Sequence, residues 1–506
     1  MKKKIFSAML LLVALVAGVV AYAGADTWDG VSMTEPQKNT DGAYLITNGA
    51  ELAWCAAESN KAASSFNLVI ANDIDLGNKQ WTPIGQKQYF NGSIEGNGHT
   101  IKGLFMSPDA TATCVGLVGK TNSASSYIKN LSIEGVINVA EVYTSSQCDI
   151  GSLIGLANAI GTVDNCHSKV NISVTANGRA ANYMGGLIGR AKAMKLLRSS
   201  YGGVLSIGND VTFNKGWGGV VGTFNSTVEG ATTTMDNCWF DGKVNNTAAK
   251  APSYGAALVG FPALTKGSFS MHNCYTAGTF NTNSDKGIIF TTFNTPTMNV
   301  GNNYAIDYTI EDANAIHLTK EQGENGELCW LLNGDQTKRV FGQNLSTDVM
   351  PLLIEDSKAV NRIFFKVDTE GYDSLYMNDT VILPSVNPTK EEYTFAGWYD
   401  AETEGNEVKA GSTIVGDMTL YARFTENPKD IWDGVTLTAI TPDESGVYHV
   451  TTGAELAWVA SESNKDIITW NIVLDNSIYL GNHAWTPIGQ DKAFNGVFDG
   501  QGYTIN

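Results

Sequence analysis

The sequence predicts an all-β protein: a right-handed parallel β-helix capped by a short α-helix, then a small module of short alternating strands and the truncated start of a second β-helix. Three observations carry this expectation. Two short signatures recur between 103 and 305 with a period of about 35 residues, a length typical of solenoids. The spacing inside one signature demands a bend within each repeat. Composition agrees: 53 glycines in 506 residues and only 17% charged residues stand against the usual ~7% and ~25%, a bias toward turn-rich β structure.

Taken in chain order, residues 1–23 read as a signal peptide. Lys2, Lys3 and Lys4 precede an apolar run from Ile5 to Val20, and Ala21-Tyr-Ala23 offers small residues for cleavage. Residues 24–102 form an N-terminal cap with lead-in strands. This segment is duplicated: 28–102 recurs at 432–506 with a constant offset of 404, and 39 of 75 positions are identical. Each copy predicts a helix. Asn48 and Thr452 stand three residues before Glu51 and Glu455, a capping-box spacing, and Leu52, Cys55 and Ala56 match Leu456, Val459 and Ala460 as one apolar stripe.

The solenoid occupies 103–305. Its first signature is Gly116-Leu-Val-Gly119, Ser152-Leu-Ile-Gly155, Gly186-Leu-Ile-Gly189, Gly219-Val-Val-Gly222 and Ala257-Leu-Val-Gly260. The second is Ile128-Lys-Asn-Leu131, Val163-Asp-Asn-Cys166, Leu197-Arg-Ser-Ser200, Met235-Asp-Asn-Cys238, Met271-His-Asn-Cys274 and Val300-Gly-Asn-Asn303. Strand alternation puts positions i and i+3 on opposite faces, yet both columns are largely apolar. A corner between them resolves the conflict, at the column Asn130, Asn165, Ser199, Asn237, Asn273, Asn302. Asparagine tolerates the left-handed region, and stacked asparagines can hydrogen-bond from coil to coil. Cys166, Cys238 and Cys274 then read as stacked small core residues rather than disulfide partners.

The Gly-Leu-apolar-Gly segments resemble the GLUG-motif repeats of exported bacterial proteins. Asp73-Ile-Asp75, Trp81-Thr-Pro-Ile-Gly85 and the run Phe90 to Ile101 look like the strands that precede such repeats. Residues 306–361 are expected as a C-terminal cap, with 324–334 a helix plugging the far end of the solenoid. Over 362–425, Phe395-Ala-Gly-Trp-Tyr399 and Thr419-Leu-Tyr-Ala-Arg-Phe424 resemble the Listeria–Bacteroides repeat, a β-grasp-like module of bacterial surface proteins. Residues 426–506 repeat the N-terminal cap without coils after it, and a longer protein with a second β-helix downstream is expected.

A net charge of -18 argues against nucleic acid as a partner. No second apolar run of membrane-spanning length follows the signal segment. No HExxH or GxSxG pattern is present, and Asp73, Asp75 and His99 become Ser477, Tyr479 and Tyr503 in the second copy, so no catalytic residue, metal or cofactor is expected. The column after the cysteines reads Ser132, His167, Tyr201, Trp239, Tyr275, Tyr304. If the cysteines point inward, His167, Tyr201, Trp239, Tyr275 and Tyr304 form an outward aromatic ladder, a candidate contact for a glycan or a host or cell-surface protein. The expectation is thus an exported, non-enzymatic surface or extracellular protein with an adhesive or stalk-like role. The alternative is a polysaccharide-acting enzyme, or a glycan-binding part of one, with active groups on loops or downstream.

Overall fold

Gly-rich, β-branched repeats of similar length build strands that pair with their own counterparts one repeat on. The computed structural model of the chain describes residues 27–140, 147–175, 181–208, 216–247, 255–282, 287–290, 297–334, 336–426 and 430–506. Residues 1–23, expected as a signal peptide, lie outside the described residues. The fold is mainly β and divides into two compact units. One holds the residues up to Ile363 with Ser374–Ile382 and Gly411–Met418, and the other holds Phe364–Asp373, Leu383–Ala410 and Thr419–Asn506.

In the first unit each pass of the chain pairs in parallel with the next. The strand Tyr44–Ile46 joins Leu68–Ile70, which joins Ile94–Glu95, which joins Ile128 and Lys129 in Val118–Val139. From there Asn171–Val174, Val204–Ile207, Lys243–Asn246 and Thr279–Thr282 follow in register. The glycine signatures form a second column, Ile154–Ser168 with Ile188–Ala191, Val221–Phe224 and Val259–Pro262. A separate five-stranded parallel sheet stacks Cys114–Val115, Gln147–Ile150, Ala181–Gly185, Gly216–Gly218 and Gly255–Ala256.

The helix Gly49–Lys61 packs Leu52, Cys55 and Ala56 into the same core as Ile46, Leu68, Ile70 and Ile84. Asn48 caps it, its side-chain oxygen accepting from the Glu51 amide at 3.1 Å. Cys166, Cys238 and Cys274 are buried free thiols, and burial pushes the Cys166 thiol up to about 12. The Cys238 amide points at the Cys274 sulfur at 3.4 Å, so the column stacks without bridging.

The corners follow the sequence with one correction. Asn130, Asn165, Asn237, Asn273 and Asn302 all adopt positive φ of 53–57°, and Asn165 donates to the Asn130 side-chain oxygen at 2.9 Å. In the third repeat the corner is Arg198 (φ 44°), not Ser199. Its guanidinium reaches back to both Asp164 oxygens at 2.8 Å, a forked pair that replaces the asparagine contact. The inward residue before this corner is therefore Leu196, in register with Val163 and Met235, and not Leu197.

A second correction concerns 324–334. The helix Glu327–Asn333 buries Leu328, Cys329 and Leu332 against Trp239, Tyr275 and Tyr304 on the outward side of the stack, with Phe341, Leu353 and Val360 in the same cluster. The segment lies along the flank rather than plugging the end.

The strand Tyr393–Tyr399 pairs antiparallel with Met418–Glu426 and carries Trp398, which meets Phe365 and Phe395 edge to face. The duplicated cap reproduces the first copy. Tyr448 pairs with Ile472 and Ile472 with Phe498, each 404 residues beyond Tyr44, Leu68 and Ile94. Thr452 and Glu455 close a full capping box on the helix Gly453–Lys465. Among the described residues no helix is long and apolar enough to cross a membrane.

Candidate functional site: a polar cleft beside a covered aromatic column

The outward column is set by backbone register. Ser132 pairs with His167, His167 with Ser200, Ser200 with Trp239, Trp239 with Tyr275 and Tyr275 with Tyr304. Tyr201 is one residue off this line. It pairs with Ser168 and Phe240, faces inward, stacks on Phe240 at 6.2 Å and donates its hydroxyl to the Val170 carbonyl at 2.7 Å. A one-residue slip in reading the third repeat moves a side chain to the opposite face. The missed signal is glycine spacing: Ser200, Trp239 and Tyr275 each stand three residues before a glycine, at Gly203, Gly242 and Gly278.

The expected exposed ladder is not exposed. Tyr201, Trp239, Tyr275 and Tyr304 retain 0%, 4%, 0% and 3% of their accessible surface. Trp239 and Tyr275 do stack, with rings 6.0 Å apart and 3° from parallel, but Phe341 closes edge-on over both and Tyr275 donates to the Pro351 carbonyl at 2.6 Å. Burial of so much ring area outweighs its exposure, which is why the following segment folds back onto it.

His167 stands where the column changes from aromatic to small. Its Nε2 lies 2.9 Å from Asn165 Oδ1 and its Nδ1 lies 2.9 Å from Ser200 Oγ. Asn165 Oδ1 can only accept, so Nε2 carries the proton and Nδ1 accepts from the Ser200 hydroxyl. Burial, with the Arg198 and Lys169 charges nearby, lowers the imidazole to about 4. The unfolded chain protonates near the ordinary 6.5 and the folded one near 4, so stability is lost as pH falls from 6.5 to 4. The loss reaches about 3 kcal/mol by linkage. Urea midpoints at pH 7 and pH 4.5 should fall further for the wild type than for His167→Gln, and equal shifts would refute the assignment.

Beyond this column the chain leaves open space. The next outward positions are Glu134, Lys169, Gly202 and Asp241, aligned by amide-to-carbonyl bonds from Lys169 to Ile133, Gly202 to Ser168 and Asp241 to Tyr201. Glu134, Lys169 and Asp241 are exposed. Gly202 lets the Asp241 carboxylate lie over it, since a Cβ there would come within 2.9 Å of that carboxylate. Leu352, Leu353 and exposed Asp356 from the flanking segment make the opposite wall. The open cleft between them holds about 380 Å³, with Ser132, His167, Ser200 and Trp239 also lining it. A second cavity of about 680 Å³ abuts it at Asp241 and Leu352 and is lined further by Thr279, Lys320, Thr347 and Asp348. Asp241 is open to solvent at the cleft mouth, yet the crowding of its carboxyl by the neighbouring walls holds it above its ordinary value, against the Lys169 charge and a hydrogen bond from Trp239. No group of three or more His, Cys, Asp or Glu side chains fit to hold a metal occurs among the described residues.

Residues 366–423 match the Listeria–Bacteroides repeat domain. Internalin H of Listeria monocytogenes serovar 1/2a (strain ATCC BAA-679 / EGD-e) is 43% identical over 63 residues, which span 12% of this chain and only 12% of that protein. A Bacteroides ovatus structure named as a candidate immunoglobulin A1 protease aligns over 63% of this chain and 95% of its own, at 15% identity and TM-score 0.37. A second structure, named IgA1 protease, aligns over 54% of this chain and 22% of its own, at 17% identity and TM-score 0.33. Likeness at that level carries no argument about chemistry.

Proposed function

We propose that this chain is an exported cell-surface or extracellular protein with a non-enzymatic, adhesive or stalk-like role, built on a right-handed parallel β-helix of GLUG-type repeats. The observation that carries the reading is the match of 366–423 to the Listeria–Bacteroides repeat, a module that resembles those of bacterial surface proteins. The likeness to internalin H supports it, and the in-register stacking of successive repeats suits a stiff spacer. The buried aromatic column serves here as the seat of the flanking segment. Protease added to intact cells making the chain should degrade it, or the chain should be recovered from the medium. Full protection inside intact cells would overturn the reading.

The alternative, a polysaccharide-acting enzyme, draws on one observation: Glu134, Asp241 and Asp356 line a single cavity, and the Asp241 carboxyl sits above its ordinary range. Release of reducing ends from a bound polysaccharide separates it from the first reading.

A further inference from the structure

We propose that the cleft between the Glu134–Asp241 column and residues 352–356 is a binding site for an uncharged saccharide, extended past Asp241 into the neighbouring cavity. The inference rests on the chemistry of the cleft and on neither reading of the protein's role.

The argument begins with the polar inventory. Glu134, Asp241 and Asp356 bring acceptor oxygens. Ser200 is a further acceptor, because its hydroxyl proton is committed to His167 Nδ1. That proton is fixed by a one-way relay: Asn130 donates to Glu95 at 2.9 Å, Asn165 to Asn130 at 2.9 Å, His167 to Asn165 and Ser200 to His167. A neutral imidazole, enforced by burial, is what keeps the relay in this direction. Against these acceptors stand the donors Lys169 and Ser132. The natural complement is a ligand with many hydroxyl donors and a few acceptors, which describes a sugar ring.

Charge narrows the class. Three carboxylates disfavour an anionic ligand, and the Lys169 ammonium among them offsets part of the pull they exert on a cation. A neutral saccharide suits this mixed lining of acceptors with a donor at hand, and spermidine in the test below separates it from a cation. Shape agrees, because the small residues Ser132 and Ser200 leave the floor open beside Trp239, and about 380 Å³ lies within the ~300–1,000 Å³ usual for ligand pockets. The adjoining space of about 680 Å³, with Thr279, Thr347, Lys320 and Asp348 on its walls, gives a second ring somewhere to go.

The test is saturation-transfer NMR and calorimetry of the full chain with neutral oligosaccharides of glucose, mannose and N-acetylglucosamine, alongside sialyllactose and spermidine. At least one neutral oligosaccharide is expected to bind, the disaccharide more tightly than its monosaccharide. Asp241→Asn should weaken that binding about tenfold. Ser200→Trp, which fills the cleft, should abolish it. Asp241 is an exposed side chain, so the first variant tests the site even if the second fails to fold. Absence of binding by every neutral sugar, binding of sialyllactose or spermidine alone, or unchanged affinity in Asp241→Asn would each overturn the proposal. Loss of surface location would leave this result untouched.

Discussion

Trp239→Ala is expected to destabilise the first unit by about 3–5 kcal/mol, the range for deleting a large buried aromatic. The indole is 4% exposed and touches three rings or imidazoles: Tyr275 at 6.0 Å, Phe341 at 6.1 Å and His167 at 5.1 Å. It also belongs to the cluster that holds Leu328, Cys329, Leu332 and Leu353 against the stack. Its loss therefore removes the seat of the whole flanking segment and not one contact. Urea unfolding should show the lowered midpoint, and limited proteolysis should cut 319–353 faster than in the wild type. Tyr275→Phe gives a graded comparison, since it deletes only the 2.6 Å hydrogen bond to the Pro351 carbonyl, worth about 1 kcal/mol. A Trp239→Ala midpoint equal to that of the wild type would mean that the flanking segment is held by other contacts. Truncating these rings reports on stability, so it is no test of ligand binding.

Gly219→Ala should be nearly as damaging, at about 3 kcal/mol or more, because overpacking against backbone cannot relax. A Cβ at Gly219 would lie 1.9 Å from the Ala257 carbonyl oxygen of the next pass and 2.7 Å from the Phe240 ring. The φ angle there is not in the left-handed region, so the cost is steric approach rather than backbone strain. Gly186 and Gly219 thus mark where one pass crosses close over the next, whereas Ser152 and Ala257 carry a Cβ at the same position of their repeats. Gly416 is the matched control, with nothing within 4 Å of its Cβ and no positive φ. Gly416→Ala should leave the midpoint unchanged or raise it slightly by restricting the unfolded chain. If Gly219→Ala and Gly416→Ala unfold alike, the close-approach account fails.

Much of this architecture was legible in the residues. The constant offset of 404 foretold two caps with the same register, and Tyr44–Leu68–Ile94 and Tyr448–Ile472–Phe498 pair identically. The asparagine column foretold a left-handed corner, found at five of its six predicted positions. The sixth failed because the corner falls one residue earlier, at Arg198, which pairs with Asp164 one pass away, a partner that no local pattern announces. That single slip carried Tyr201 from the outer face to the core.

The candidate site was legible only in part. His167 and Trp239 were placed on the correct face and do line the cleft, whereas Tyr275, which borders the neighbouring cavity, and Tyr304 lie on the same face beneath the segment that buries them. Glu134, Lys169, Gly202 and Asp241 went unnoticed, although each sits two positions after a member of the outward column, the spacing that returns a strand to the same face.

What the sequence determined by itself is everything periodic: the repeat length, the parallel pairing of like with like, the inward cysteines and the glycine crossings. These depend on neighbours one repeat away, and repetition writes those neighbours into the chain. Only the tertiary structure decided what the outer face touches. Trp239 and Phe341 are far apart in sequence and belong to segments with no common pattern, so their contact follows from the fit of two surfaces. That fit turned an aromatic ladder from exposed surface into core, and left a polar cleft where the ladder gives way to serine and glycine.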